Sequence, residues 1–241
     1  TVQLNSGGSA TITPTQVNNG STDNCAIANL GLSNTTFSCA NVGSGNTVVL
    51  TVTDVSGNTS TCSATITVQD NIAPTAVCQA VTVQLNGSGT GSTTAAAVNN
   101  GSSDNCAIAT MTLNNSSFTC ANVGPNTVVL TVTDVNGNSS TCSSTVTVQD
   151  NVAPNAICQN ITVQLNSGGS ATITPTQVNN GSTDACGIAN LSLNNTTFTC
   201  ANVGNGNTVV LTVTDVNGNT STCSATVSIQ DNVAPTAVCQ P

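Results

Sequence analysis

The chain has no lysine, arginine or histidine, and no tryptophan, tyrosine or glutamate. All nine acidic residues are aspartates, and the formal charge is −9. Each absence removes a class of function. Nucleic-acid binding needs cations to neutralise phosphates, so it is excluded. A polybasic contact with an anionic membrane is excluded for the same reason. Without lysine no lysine-based isopeptide staple can form, and trypsin has no cleavage site. General acid–base catalysis draws on His, Glu, Lys, Tyr or paired carboxylates. Serine and threonine are plentiful, but no base stands ready to activate one. The composition therefore argues against an enzyme. Only three phenylalanines represent the aromatics, which disfavours a sugar-stacking surface and implies a thin core.

No transmembrane run, signal peptide or lipidation motif is visible. Because the sequence starts inside a strand-like stretch and stops just after a recurring junction, it reads as a window on a longer array.

What is present repeats. The run Thr-Val-Gln-Leu-Asn at Thr1 returns at Thr82 and Thr162, that is, after 81 and then 80 positions. Solenoid and propeller periods are shorter, and about 80 residues is the scale of a whole small sandwich domain. No sub-period supports a solenoid. The junction at residues 68–79 recurs at 148–159 and from 229 onward, each time as Gln-Asp-Asn-x-Ala-Pro. It places domains at 1–72 (clipped at its start), 73–152 and 153–233, with 234–241 opening a fourth repeat.

In the middle repeat, residues 80–85 alternate with period two and read as a first strand. Residues 92–98 read as a second. Further strands follow at 107–113, around Phe118, at 128–133 and at 141–148. Asn136-Gly137 is a hairpin signal. Six or seven short strands and no helical period predict an all-β fold: tandem immunoglobulin-like antiparallel β-sandwiches in an extended array.

Twelve cysteines fall four to a repeat, at 25, 39, 62, 78, then 106, 120, 142, 158, then 186, 200, 223, 239. With no C-x-x-C pair for a metal, they read as structural disulfides in an oxidising compartment. The junction cysteine lies beyond the proline and belongs to the following domain. Cys78 and Cys142 each start a strand, and first and last strands of such sandwiches often run side by side in parallel. That favours Cys78–Cys142 and Cys158–Cys223. It leaves Cys106–Cys120, Cys186–Cys200 and Cys25–Cys39, with Cys62 and Cys239 awaiting partners upstream and downstream. A rival pairing, Cys78–Cys106, joins residues near one end.

Three runs then carry a resemblance. They are Phe-x-Cys-Ala-Asn-Val-Gly (Phe37 to Gly43, Phe118 to Gly124, Phe198 to Gly204), Val-x-Leu-Thr-Val-Thr-Asp-Val-x-Gly-Asn, and Ser/Thr-Thr-Cys-x-x-Thr-Val/Ile. Together they resemble the hyalin-repeat (HYR-like) immunoglobulin-fold domain. With the junction they resemble the tandem arrays of giant secreted surface proteins of Bacteroidota, such as the SprB-type gliding adhesins. The resemblance implies an extracellular adhesin or filament held at the bacterial cell surface.

Each repeat has three aspartates at fixed places. If the strands alternate as in a seven-strand sandwich, Asp70, Asp104 and Asp134 converge at the first junction, and Asp150, Asp184 and Asp215 at the second. Hard carboxylate oxygens with no cation in the chain suit Ca²⁺. Asp23 and Asp54 would form an incomplete site, and Asp231 part of another. The competing reading is that these aspartates only shape turns, since Asp before Asn-Gly commonly makes an Asx-turn. With six strands, the last hairpin would move to the other end and the convergence would fail.

Near-identical repeats favour a structural stalk or filament segment supporting surface adhesion or gliding. The alternative is weak multivalent carbohydrate- or surface-binding repeats acting by avidity. Expected partners are an extracellular surface or polysaccharide, or further copies in a filament, with no nucleic acid and no membrane insertion.

Overall fold

A computed structural model describes residues 1–240. Position 241, the last of the expected fourth-repeat residues, lies outside the described residues. The first repeat contains β1 (Val2–Gln3), β2 (Ser9–Thr11), α1 (Pro14–Val17), β3 (Ile27–Leu32), β4 (Thr36–Ser38), β5 (Gly43–Asp54) and β6 (Thr59–Gln69). The middle repeat contains β7 (Val81–Gln84), β8 (Thr90–Ser92), α2 (Ala95–Val98), β9 (Ile108–Leu113), β10 (Ser117–Thr119), β11 (Gly124–Asp134) and β12 (Ser139–Gln149). The third contains β13 (Ile161–Gln164), β14 (Ser170–Thr172), α3 (Pro175–Val178), β15 (Ile188–Leu193), β16 (Thr197–Thr199), β17 (Gly204–Asp215) and β18 (Thr220–Gln230).

Each repeat has a four-stranded and a two-stranded sheet, ordered β1-β6-β5-β3 with β2-β4 in the first and β13-β18-β17-β15 with β14-β16 in the third. The middle repeat follows the same order, β7-β12-β11-β9 with β8-β10. By its contacts the chain divides into two compact units. One comprises Thr1–Val81, Thr93–Ser116 and Thr127–Thr145; the other comprises Thr82–Ser92, Ser117–Asn126 and the described residues from Val146 onward.

Alternation explains the long strands. In β17, Val209, Leu211 and Val213 are fully buried while Val210 and Thr212 between them are only half-buried. They pack with Ile173, Phe198, Val227 and Ile229 into the core between the two sheets of the third repeat. In the first repeat Leu4, Ile12, Phe37, Val48 and Val68 do the same. Each such side chain contributes about 1.5–3 kcal/mol of burial.

One expectation changes. The second strand ends early: β8 stops at Ser92, and residues 95–98 form one helical turn. A threonine explains it, because Thr94 accepts from the Ala97 amide as an N-cap, and in the sister repeats a proline opens the turn. The first and last strands of a repeat run side by side in parallel, as the pairing of Cys78 with Cys142 and Cys158 with Cys223 presupposes. β1 lies parallel to β6, and β13 to β18.

The six strands still return the hairpin to the entry end. In the first repeat β5 is antiparallel to β6 and β3 to β5, so β3 runs with β1. β2 reverses β1 through the turn closed by the Asn5 amide on the Ser9 carbonyl, and β4 is antiparallel to β2. β3 and β4 therefore run the same way, crossing between sheets without a reversal. No helix among the described residues is long and apolar enough to cross a membrane.

Candidate metal centre and the cysteines around it

Asp70 follows β6, Asp104 lies in the loop before β9, and Asp134 ends β11. One carboxylate oxygen from each comes within 4.8 Å of the others. Asp70 and Asp134 are 5 % and 2 % exposed, and Asp104 is half-buried.

Local chemistry aims each side chain. Asp104 Oδ2 accepts the amides of Cys106 (2.8 Å) and Ala107 (3.2 Å), an Asx-turn that fixes its rotamer. Asp70 Oδ1 accepts the Ile72 amide (3.2 Å) and the Asn105 side-chain amide (3.1 Å). Asp134 Oδ1 accepts the amides of Asn136 and Asn138, both at 2.8 Å, and its Oδ2 accepts the Asn138 side chain at 2.7 Å. Burial alone would raise the Asp134 pKa. The hydrogen bonds from Asn138, Asn136 and Gly137 outweigh it and hold the carboxyl below its ordinary value. Asn138 also donates to the Asp70 carbonyl at 3.1 Å, tying the hairpin to the incoming junction.

Three oxygens remain buried without a hydrogen-bond partner: Asp70 Oδ2, Asp104 Oδ1 and Asn105 Oδ1. A buried carboxylate oxygen left unpaired is costly, and no cationic side chain exists to pair it. The donor set fits Ca²⁺. With Ca–O distances of about 2.3–2.6 Å, oxygens on opposite sides of one ion lie about 5 Å apart. Asp70, Asp104 and Asp134 would hold the ion, which would supply charge neutralisation and a cross-link between the junction and two loops of the following repeat.

The second junction is arranged differently. Asp150, Asp184 and the Cys186 sulfur fall within 4.8 Å, and Asp215 is not in that group. Asp215 is 1 % exposed, with both oxygens engaged by Asn217 and Asn219. Asn219 links it to the Asp150 carbonyl at 3.0 Å. Asp150 Oδ2 is again buried and unpaired. Ala185 stands where the first junction has Asn105, so that oxygen is missing here. Asp184 Oδ1 accepts the amides of Cys186 and Gly187. Asp23 repeats the Asp104 turn, through the Cys25 amide at 2.8 Å, but is exposed, as is Asp231. Asp54 repeats the Asp134 pattern with Asn58. The bracing asparagines four residues after each hairpin aspartate were the signal that sequence reasoning passed over.

The structure pairs Cys78 with Cys142 and Cys158 with Cys223. The remaining expected pairs are corrected. Cys106 bonds Cys39, not Cys120, and Cys120 bonds Cys186, so Cys186 is not joined to Cys200. Cys25 and Cys39 are not joined either, because Cys25 is free. The reason is the shared direction of β3 and β4. Cys25 precedes the first and Cys39 follows the second, so they sit at opposite ends of the repeat. Cys39 instead meets the loop of the following repeat. There Gly8, at φ 70°, is so close that a Cβ would stand 2.5 Å from the Asn105 carbonyl oxygen.

No family profile and no curated protein matches the chain. Solved structures show loose similarity. Mouse clustered protocadherin gamma C3, EC1–3, is 14 % identical over 77 % of this chain and 76 % of that one, at a TM-score of 0.35. Drosophila N-cadherin, EC1–4, is 10 % identical over 76 % of this chain and 57 % of that one, at 0.37. A three-domain piece of titin is 11 % identical over 84 % and 82 %, at 0.32. Scores this low carry no functional argument. On its own repeated sheet pairs, the chain is a tandem of immunoglobulin-like β-sandwiches.

Proposed function

We propose that the chain is a stalk or filament segment of a secreted, cell-surface adhesin, with junctions stiffened by Ca²⁺ and stapled by disulfides. One observation carries the reading: carboxylates from two successive repeats converge within 4.8 Å and leave buried oxygens unpaired, in a chain without cationic side chains. Asp70, Asp104 and Asp134 form the fuller site, and Asp150 and Asp184 the sparser one. Asp215 braces the second site from behind. Asp23, Asp54 and Asp231 are the matching groups on the outer repeats.

The domain frame is 1–72, 73–152 and 153–233, with 234–241 opening the next repeat. Backbone bridges support it, because Thr75 pairs with Ser103 and Cys78 with Asn99, so residues after the junction proline belong with the repeat that follows. The HYR-like motifs favour a bacterial surface array of the SprB type, for adhesion or gliding. Its partners would be an extracellular surface or polysaccharide, or further copies.

The test is thermal melting and small-angle scattering of the chain in millimolar Ca²⁺ and in EDTA. Calcium raises the melting temperature and removes the scattering signature of bending. Superimposable data in the two buffers refute the calcium reading. A glycan array separates spacer from avidity module: the spacer gives no signal, whereas repeat-level binding supports the module.

A further inference from the structure

The two internal junctions are built on one backbone plan. Asp104 Oδ2 accepts the Cys106 and Ala107 amides at 2.8 and 3.2 Å, and Asp184 Oδ1 accepts the Cys186 and Gly187 amides at 2.8 and 3.1 Å. Asp70 Oδ1 accepts the Ile72 amide at 3.2 Å, and Asp150 Oδ1 the Val152 amide at 3.1 Å. A disulfide from the preceding repeat anchors each loop, at Cys106 and at Cys186. Asp70 and Asp150 are 5 % and 7 % exposed, and each keeps one buried oxygen without a partner. The side chains carried on that plan differ. One run reads Asp104-Asn105-Cys106-Ala107, the other Asp184-Ala185-Cys186-Gly187.

Asn105 is held against the carboxylates. Its Nδ2 donates to Asp70 Oδ1 at 3.1 Å, which fixes the side chain on the Asp70 carboxylate. Its Oδ1 is then buried with no partner, like Asp70 Oδ2 and Asp104 Oδ1. A bare amide oxygen in the interior is costly, and a hard cation is the partner that would satisfy all three oxygens together. At the second junction Ala185 removes this oxygen. The loop also leaves its turn differently, because Gly187 takes φ 113° where Ala107, like every described non-glycine residue, has no positive φ. Asp215 lies outside the second cluster, so its charge is missing too. The third member there is Cys186, whose sulfur is bonded to Cys120 and offers a hard cation no ligand. Two carboxylates thus stand where the first junction has three and an amide oxygen.

We propose that Asn105 is a calcium ligand through its Oδ1, and that the residue at this position sorts the junctions into a tight class with Asn and a weak class with Ala. The proposal rests on the junctions binding calcium at all, and adds which of them fills first. Calcium affinity follows the number and charge of the ligands, so the first junction binds at least about tenfold more tightly than the second. The chain then takes up calcium in two steps, the Asn105 junction at the lower concentration. The second junction has room for the missing side chain. A cavity of about 420 Å³ is lined there by Gly87, Val152, Asn155, Asp184 and Ala185 among others.

The test is a Ca²⁺ titration of the full chain followed by nitrogen-15 NMR. The Cys106 and Ala107 amides report the first junction, and the Cys186 and Gly187 amides the second, because each is bonded to its own aspartate. The parent shows two midpoints at least about tenfold apart, the first junction at the lower calcium. Ala185→Asn tightens the second junction alone, and Asn105→Ala weakens the first alone. Asn105→Asp separates a ligand from a brace, since it keeps an oxygen and loses the donor to Asp70. A ligand role leaves that variant binding at least as tightly as the parent. Weakening as large as with alanine means that Asn105 only braces Asp70, and overturns the proposal. Equal midpoints in the parent, or either of the first two variants leaving its own junction unmoved, overturn it while the calcium reading stands. Amides that shift at neither junction in millimolar Ca²⁺ remove the calcium reading and the proposal with it. Matching circular-dichroism melts in EDTA show that the variants fold, and the two parent midpoints need no variant.

Discussion

Replacing Asp104 by asparagine should have opposite effects with and without calcium. The side chain reaches into a space where three carboxylate oxygens lie within 4.8 Å. Two unit charges at that distance repel by about 0.9 kcal/mol at the dielectric of water and about 3.5 kcal/mol at an effective dielectric of 20. Asp104→Asn removes two such pairs, a gain of about 2 kcal/mol even at the lower value. The new amide keeps an oxygen for the Cys106 and Ala107 amides and offers a donor to Asp70 Oδ2, which has no partner. In EDTA the variant therefore melts higher than the parent. In Ca²⁺ the order reverses. With an affinity in the range of about 10⁻⁴ M, typical of extracellular modules, 100-fold excess calcium stabilises the parent by about 2.7 kcal/mol. That corresponds to on the order of 10 °C in a domain of this size. The variant loses most of that shift. Differential scanning calorimetry in both buffers measures all four values. A variant that melts lower than the parent by the same amount in each buffer would show that Asp104 serves only its turn, and the metal argument would fail.

Three further outcomes follow from the same geometry. Cys39→Ser with Cys106→Ser opens a link spanning 67 residues, and the chain-entropy estimate for such a loop is about 4 kcal/mol, read as a lowered denaturation midpoint. An unchanged midpoint, or a peptide map of the parent showing Cys106–Cys120, contradicts the inter-repeat pairing. Gly8→Ala meets both an unfavourable φ of 70° and a carbonyl oxygen 2.5 Å away, whereas Gly20→Ala at φ 80° meets nothing within 4 Å. The second change costs about 1–2 kcal/mol for its backbone alone, and the first must cost more, so equal denaturant midpoints would refute the close approach. The Asp54 carboxyl is held below its ordinary 3.8 chiefly by the Asn58 side chain, with backbone amides adding to it. A lowered folded-state pKa gives stability that is present above 3.8 and lost as pH falls through the lowered value. Asn58→Ala should raise the Asp54 titration midpoint by NMR in the metal-free chain and shrink that acid-side contribution. An unmoved midpoint would assign the shift to the backbone amides.

Much of the architecture was legible in the residues. Threonine–valine alternation in stretches such as 128–133 specifies a strand with one buried face, because side chains alternate with period two. The recurring Gln-Asp-Asn-x-Ala-Pro run marked the repeat frame, and nine aspartates in fixed positions pointed to one end of each repeat. The helical turn at Ala95–Val98 was not legible from periodicity, since four residues are too short to show any.

Composition and period determined by themselves that this is an all-β tandem repeat, rich in cysteine and without cationic side chains. Only the tertiary structure decided which groups meet. Cysteine spacing measures distance along the chain, whereas a disulfide needs Cα atoms about 5–6 Å apart in space. That distance depends on β3 and β4 running the same way, which sends Cys39 to the following repeat and not to Cys25. Likewise the sequence presents Asp134 and Asp215 as equivalents. The folded loops bring Asp134 into a carboxylate cluster and leave Asp215 outside the other, because convergence within 4.8 Å is set by how each loop seats against the junction.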